Sequence, residues 1–447
     1  MKTAVKGWTA RFLSLPPPLV VAGIYIATIT MGASLMMLPM AQAMPMRWSD
    51  AFFMATSAVT VTGLAVVDVG SHLSLLGQAV LVTLVQLGGL GLMTFAVLIL
   101  EIVGRPVGLM GEAYLREDLK QNALWRVGRL VRRIAVVVFA IEAVGIAILC
   151  LSFIPDLGFW PGLWAAIFHG IGAFNNAGFS IFRTGLMEYV ADPIVNLVIP
   201  ALFITGGIGY FVLHDLIYKR RWRYWSLNTR IMLAGTAVLI PWSVLMFAAL
   251  EWTNPATLGG LDGIWPRIAA SWFQGVTPRT AGFNTLDISG IHDSTAMLFI
   301  SLMLIGGGAT STAGGIKVTT FVVMILATIA FFRRQTQLHI FGRGIGPDEV
   351  LKVMAIVAVS LVLVFCGMFL LSLSHDGHFL DIAFEVASAF STTGLSRNYT
   401  PELNDFGRCV IMVIMFIGRL GPLTLGFSLA TQLSPRVRYP QERIHIG

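Results

Sequence analysis

Four times along the chain an apolar segment runs into a short stretch of small polar residues that closes on glycine. The stretches are Thr60-Val61-Thr62-Gly63, Asn175-Asn176-Ala177-Gly178, Arg279-Thr280-Ala281-Gly282 and Ser391-Thr392-Thr393-Gly394. One such loop alone would be an ordinary turn or a helix packing site. Four, with their glycines about 110 residues apart, are too widely spaced for a solenoid and match a duplicated two-helix module. Glycine and small polar residues between apolar stretches suit a place where backbone carbonyls replace the water around an ion, so the repeat predicts cation conduction.

The surrounding chain must then lie in a bilayer. Of its 447 residues 56% are hydrophobic and 12% charged, with a mean hydropathy of +0.79, which no soluble domain of this size shows. A hydrocarbon layer needs about 20 helical residues. Apolar runs of that order lie near 19–39, 73–100, 133–154, 193–218, 229–250, 296–332, 351–373 and 405–430. They predict an all-α polytopic membrane protein with eight transmembrane helices. Its four tandem helix, pore loop and helix units span 1–104, 105–228, 229–343 and 344–447, in pseudo-fourfold arrangement around one pore.

Charge predicts the orientation. Of the 30 Lys and Arg, 22 fall in the N-terminus (Lys2, Lys6, Arg11), from Arg105 to Arg133, from Lys219 to Arg230, from Arg333 to Lys352 and in the tail (Arg436, Arg438, Arg443). The positive-inside rule makes this face, with both termini, cytoplasmic. The opposite loops carry 14 of the 23 acids, a surface that draws cations. The net charge of +7 therefore reflects membrane orientation rather than nucleic-acid binding. Cys150, Cys366 and Cys409 have no CxxC spacing and read as packing residues. Ala41-Gln42-Ala43 mimics a signal-peptidase site, but the stretch before it is too long for a leader and is expected to remain as the first helix.

Each unit also predicts a half-helix before its loop. Ser49 and Asp50 precede the first, Pro161 opens the second, Pro266 the third, and Asp381 precedes the fourth. At some 8 to 13 residues each stops partway into the layer and aims its partial negative end at a shared axis, which suits a desolvated cation. The four loop glycines are expected at positive φ, turning successive carbonyls inward. Unequal flanking residues predict weaker discrimination between cations than a symmetric tetramer would give.

A second glycine element follows 24 to 28 residues after each loop glycine: Leu87-Gly88-Gly89-Leu90-Gly91, Thr205-Gly206-Gly207-Ile208-Gly209, Ile305-Gly306-Gly307-Gly308-Ala309 and Ile417-Gly418-Arg419-Leu420-Gly421. In the first two copies it reads as close helix packing. In the third it extends through Gly306, Gly307, Gly308, Thr310, Ser311, Thr312, Gly314, Gly315 and Lys317. That stretch is poorly helical inside an apolar run too long for one crossing, and is expected as a flexible intramembrane loop under the filter. In the fourth, Arg419 is a charge in an apolar helix and hence a candidate for conduction or gating. Lys317 either snorkels to the interface or adds to the loop's electrostatics. Glu142 reads as a helix-packing partner close to Arg133 and the cytoplasmic surface. Asp68 is either a cation-concentrating acid at the outer mouth or a solvated loop residue.

With these four loops the whole chain resembles the membrane subunit of the bacterial Trk/Ktr/HKT superfamily of potassium transporters, and its eight-crossing length resembles the Ktr type. The resemblance implies K⁺ uptake across the bacterial plasma membrane, through a filter formed by the loops ending at Gly63, Gly178, Gly282 and Gly394. Sodium-preferring plant relatives often carry serine at the first of these, so Gly63 favours potassium uptake, driven by the membrane potential with Na⁺ dependence left open; the alternative is a sodium or weakly selective monovalent-cation transporter, or a secondary cation carrier. The segment from Gly306 to Lys317 matches the family's gating loop, and Arg419 matches a family arginine. A homodimer on a cytosolic ring of nucleotide-binding subunits is implied, with the basic loops from Arg126 to Arg133 and from Lys219 to Arg223 as docking surfaces for that ring or for lipid headgroups. K⁺ is then the transported ion and no covalently bound cofactor is implied.

Other classes fit less well. There is no HExxH or GxSxG, and His375 and His378 sit in an external loop, so an enzyme is not predicted. Secondary carriers also use repeats and broken helices, but commonly inverted ones, whereas these four units run in one direction.

Overall fold

The computed structural model of the protein describes residues 17–91, 127–219, 221–335 and 337–421. Lys2, Lys6, Arg11, Arg105 to Arg126, the tail arginines and the stretches 92–100 and 422–430 lie outside the described residues. Each unit contributes a long first helix, a half-helix, a loop and a second helix. The first helices are α1 (Pro17–Met36), α4 (Val127–Leu157), α8 (Leu227–Glu251) and α12 (Pro347–Ser372). Among the described residues these four helices are long and apolar enough to cross a membrane unbroken. Their outer faces are apolar: Val136, Leu151, Leu245, Phe365 and Phe369 are each more than 60% exposed, which is costly in water and not in lipid.

The half-helices are α2 (Trp48–Val59), α5 (Phe159–Phe174), α9 (Ile264–Val276) and α13 (Phe379–Ser391). The second and third begin two residues before the expected start, and the first and fourth three. Asp50, Pro161, Pro266 and Asp381 all stand at the third helical position, where a backbone N–H is still without an intrahelical partner. A proline costs nothing there, and Asp50 reaches back to the Arg47 amide at 3.1 Å. At 16 residues α5 exceeds the expected 8 to 13.

The second helices correct another expectation. They are α3 (Leu75–Leu90), α6 (Pro193–Ile208) followed by α7 (Tyr210–Tyr218), α10 (Asp293–Leu304) followed by α11 (Val318–Phe332), and α14 (Asp405–Leu420). The last glycine of the second element stops α3, α6 and α14 alike: Gly91, Gly209 and Gly421 have φ of 80°, 101° and 88°. Between α6 and α7 the chain turns by 98°. A break between two described helices is therefore found in the second unit as well as in the third, and in units one and four the second helix ends on the matching glycine. The predicted close packing is also there, because a Cβ on Gly88, Gly206 or Gly418 would lie within 2.1 Å of the carbonyl oxygen of Val59, Phe174 or Phe390 at the end of a half-helix.

Each second helix packs on the half-helix of the next unit: α3 on α5, α6 on α9, α10 on α13 and, closing the circle, α14 on α2. A buried ion pair between Arg408 of α14 and Asp50 of α2 marks this closure. Between α10 and α11, strands β1 (Ile305–Gly306) and β2 (Ile316–Lys317) pair in parallel around a non-helical loop. Units three and four are joined by an antiparallel hairpin, β3 (Leu338–Ile340) and β4 (Arg343–Ile345), turning on Phe341 and Gly342 at positive φ.

Candidate functional site

The four repeated loops meet at the centre of this circle. A Cβ on Gly63 would lie 2.5 Å from the Gly178 nitrogen, one on Gly178 2.5 Å from the Gly282 carbonyl carbon, one on Gly282 2.1 Å from the Thr393 oxygen, and one on Gly394 2.3 Å from the Thr62 oxygen. The backbones thus touch in the order 63, 178, 282, 394 and back to 63, and no side chain fits between them. Thr60, Val61, Thr62, Asn175, Asn176, Ala177, Arg279, Thr280, Ala281, Ser391, Thr392 and Thr393 are all buried.

Backbone geometry repeats as well. The second residue of every loop is left-handed: Val61 at φ 58°, Asn176 at 60°, Thr280 at 67° and Thr392 at 52°. For β-branched Val61, Thr280 and Thr392 this is strained, by about 1–3 kcal/mol each, and held only because the surroundings over-determine it. Gly63, Gly282 and Gly394 follow at φ 93°, 79° and 93°. Gly178 is the exception, since it is not at positive φ, and its glycine is required by the contact with Gly282 alone.

What braces the loops differs between copies. In copies one and four the first and third residues share a hydroxyl pair, Thr60 with Thr62 at 2.8 Å and Ser391 with Thr393 at 2.7 Å. There Ser57 and Ser388 accept the glycine amides, both at 3.1 Å. Copies two and three have alanine at the third position and are tied to helices outside the loop. Arg279 turns away to α8, where Nη2 donates to Thr236 Oγ1 at 3.4 Å, so only its backbone remains in the loop. Asn175 donates to Gln86 of α3 and Glu142 of α4. Glu142 is buried and far from the packing role beside Arg133 expected for it, while Arg133 stacks over Tyr218. The one sequence signal for this role was an acid in the middle of an apolar helix. Asp68 caps a one-turn helix through the Ser71 amide, 3.0 Å, and His375 accepts the Asn404 amide at 3.0 Å.

The segment from Gly306 to Lys317 lies directly against the ring. Thr312 Oγ1 donates to Asn176 Oδ1 at 2.8 Å, and Gly314 faces Thr392 Oγ1 and the Ser391 carbonyl so closely that a Cβ would overlap both. On its other side Gly308 N donates to the Gly207 carbonyl at 2.8 Å and Tyr210 N to the Thr310 carbonyl at 3.3 Å, using backbone groups freed by the break at Gly209. Ser311 Oγ donates to the Gly308 carbonyl at 2.7 Å, and Thr310 and Gly315 are at positive φ. Arg419 bridges two elements, donating to the Thr312 carbonyl of this loop and to the Gly88 carbonyl of α3. Lys317 donates to the Ala313 carbonyl within the loop.

Known proteins resemble this chain in sequence and in fold. The sequence profile of a family described as cation transport protein, TrkH, matches residues 21–435. The chain is 46% identical to Ktr system potassium uptake protein B of Bacillus subtilis (strain 168), over 100% of both chains. It is 38% identical to the protein of the same name from Vibrio alginolyticus, over 95% of this chain and 93% of the other. Its identity to potassium/sodium uptake protein NtpJ of Enterococcus hirae is 34%, over 97% of each. The crystal structure of the potassium transporter TrkH from Vibrio parahaemolyticus superposes with a TM-score of 0.73 at 20% identity, covering 92% of this chain and 84% of that one. With the ring, the interrupted helices and the full-length similarity together, the chain belongs to the TrkH family of cation transport proteins.

Proposed function

We propose that the protein takes up K⁺ through the ring of loops ending at Gly63, Gly178, Gly282 and Gly394. The observation that carries this reading is the closed backbone contact of four glycines from four units at the buried ends of four half-helices. Alternating left-handed residues turn loop carbonyls toward an axis, where they replace the hydration shell of a cation. The half-helix C-termini add partial negative charge around it. The membrane potential then supplies about 2.3 kcal/mol per charge per 100 mV, or roughly 50-fold accumulation, so uptake requires no chemical coupling. The names of the relatives at 46% and 38% identity support potassium as the ion.

In this reading the loop from Gly306 to Lys317 obstructs the path below the ring and Arg419 holds it there. Opening requires the loop to leave the Thr312 and Gly314 contacts. The protein functions as a membrane subunit, a homodimer in the bacterial plasma membrane with cytoplasmic termini, controlled by a cytosolic nucleotide-binding partner. A second reading, transport of Na⁺ together with or instead of K⁺, is favoured by one observation: the relative at 34% identity is named a potassium/sodium uptake protein. Flux of K⁺, Rb⁺ and Na⁺ into proteoliposomes, with and without an imposed potential, distinguishes the readings. K⁺ flux that exceeds Na⁺ flux and follows the potential is expected; no cation flux under any condition defeats both.

A further inference from the structure

The second loop lacks the hydroxyl pair that ties the first and third residues together in copies one and four, since Asn175 and Ala177 stand where Thr60 and Thr62, or Ser391 and Thr393, stand elsewhere. Its brace comes from two helices of different units instead. Asn175 Nδ2 donates to Gln86 Oε1 at 2.8 Å, to Glu142 Oε1 at 3.1 Å and to the Ile171 carbonyl at 2.9 Å. Gln86 Nε2 in turn donates to Glu142 Oε2 at 3.3 Å. Both carboxylate oxygens are thereby used, on a side chain that is 3% exposed and, among the described residues, has no basic partner.

Glycine at 89 completes the arrangement. A Cβ there would lie 1.9 Å from Asn175 Oδ1, so any side chain would push the asparagine off Gln86 and Glu142. A buried carboxylate is costly in an apolar helix unless it is hydrogen-bonded, and here its partners are the first filter residue and the residue that shares it.

We infer that Glu142, with Gln86, is the positioning residue for the second filter loop: it holds Asn175, from outside the loop, in the place that a hydroxyl pair holds in copies one and four. The inference rests on the reading of the ring as the ion filter. Its consequence is that selectivity at Gly178 depends on a side chain on a lipid-facing helix of the same unit, α4, and one on α3 of the preceding unit. Copies one and four carry their own brace.

The test uses the full-length protein in proteoliposomes, with K⁺, Rb⁺ and Na⁺ flux measured as both half-saturation and maximal rate. Wild-type K⁺ flux comes first; its absence overturns the filter reading and this inference with it. Given that flux, Glu142→Leu and Gln86→Leu are each expected to lower the K⁺ to Na⁺ ratio about 10-fold, which is about 1.4 kcal/mol. Glu142→Gln, which keeps the shape and one acceptor, is expected to lower it less. The decisive arm builds the missing brace into copy two: Asn175→Thr with Ala177→Thr, in the Glu142→Leu background, is expected to return the ratio to within about 2-fold of wild type. A merely structural role for Glu142 predicts no such rescue. A folded Glu142→Leu with unchanged ratio, or failure of the threonine pair to restore it, overturns the inference. If Glu142→Leu does not fold, Gln86→Leu carries the same comparison, with and without the threonine pair, and the same two results decide it.

Discussion

Replacing Gly178 with alanine isolates the steric role of the ring from conformational strain. Gly178 is not at positive φ, so alanine adopts its backbone without penalty, unlike at Gly63, Gly282 or Gly394. The added Cβ would nevertheless lie 2.5 to 2.6 Å from the carbonyl carbon, Cα and oxygen of Gly282, where ordinary contact is 3.4–4 Å. Loops two and three must therefore separate by about 1 Å, and the neighbours are backbone atoms that cannot rotate away. Overpacking of this kind costs about 1–3 kcal/mol. Spent on ion coordination, that is roughly a 5- to 150-fold loss of K⁺ affinity. The assay is concentration-dependent K⁺ and Na⁺ flux in proteoliposomes, with Gly23→Ala as a control because nothing lies within 4 Å of the Cβ it would gain. Gly63→Ala should be worse, since left-handed strain of about 1–2 kcal/mol is added to a similar overlap. Wild-type K⁺ affinity and selectivity in a folded Gly178→Ala protein would show that ions do not pass between these glycines, and the argument from ring closure would fall.

Arg419→Gln removes a charge-assisted bond worth about 1.5–3 kcal/mol between α14 and the Thr312 carbonyl. It should raise K⁺ flux in the absence of a partner by roughly 10-fold or more; unchanged rate and selectivity in both Arg419→Gln and Arg419→Ala would remove the residue from gating. Thr312→Val deletes the bond to Asn176 and should raise flux about 2- to 10-fold, and a fall in flux instead would mean that the loop supports conduction rather than obstructing it. The ion pair of Asp50 and Arg408 is asymmetric, because Asp50 also bonds Arg47 while Arg408 has otherwise, among the described residues, only a 3.5 Å contact with Ser49. Asp50→Leu, which strands a buried guanidinium, should destabilise by about 3–5 kcal/mol, and Arg408→Leu by clearly less. Thermal unfolding in detergent reads the order, and equal losses contradict it.

Periodicity and composition were enough for the repeat, the polytopic helical class and the loops that meet at the ring, because a fourfold duplication leaves four copies of each local signal. Residue type places the half-helix starts two or three residues late for a local reason: proline and aspartate are as acceptable at the third helical position as at or just before the first, so residue type alone does not set the boundary. The sequence reads Gly91 and Gly209 as packing rather than as helix ends, because a glycine among apolar residues serves either purpose until its φ is known.

The sequence by itself determined which segments are apolar enough to enter a membrane, which residues form the four loops, and that the segment from Gly306 to Lys317 and Arg419 are the exceptions to the repeat. Those are consequences of hydropathy and chain-local symmetry. Only the tertiary structure decided that Gly178 is glycine for contact rather than for conformation, that Arg279 turns its charge away to Thr236, and that Glu142 reaches Asn175 through a network shared with Gln86. Each depends on groups that are far apart along the chain, Gln86 and Asn175 by 89 residues and Arg419 and Gly88 by 331. Pairing of that kind is set when four units close into a circle and bury their polar groups against one another, which no property of a single segment encodes.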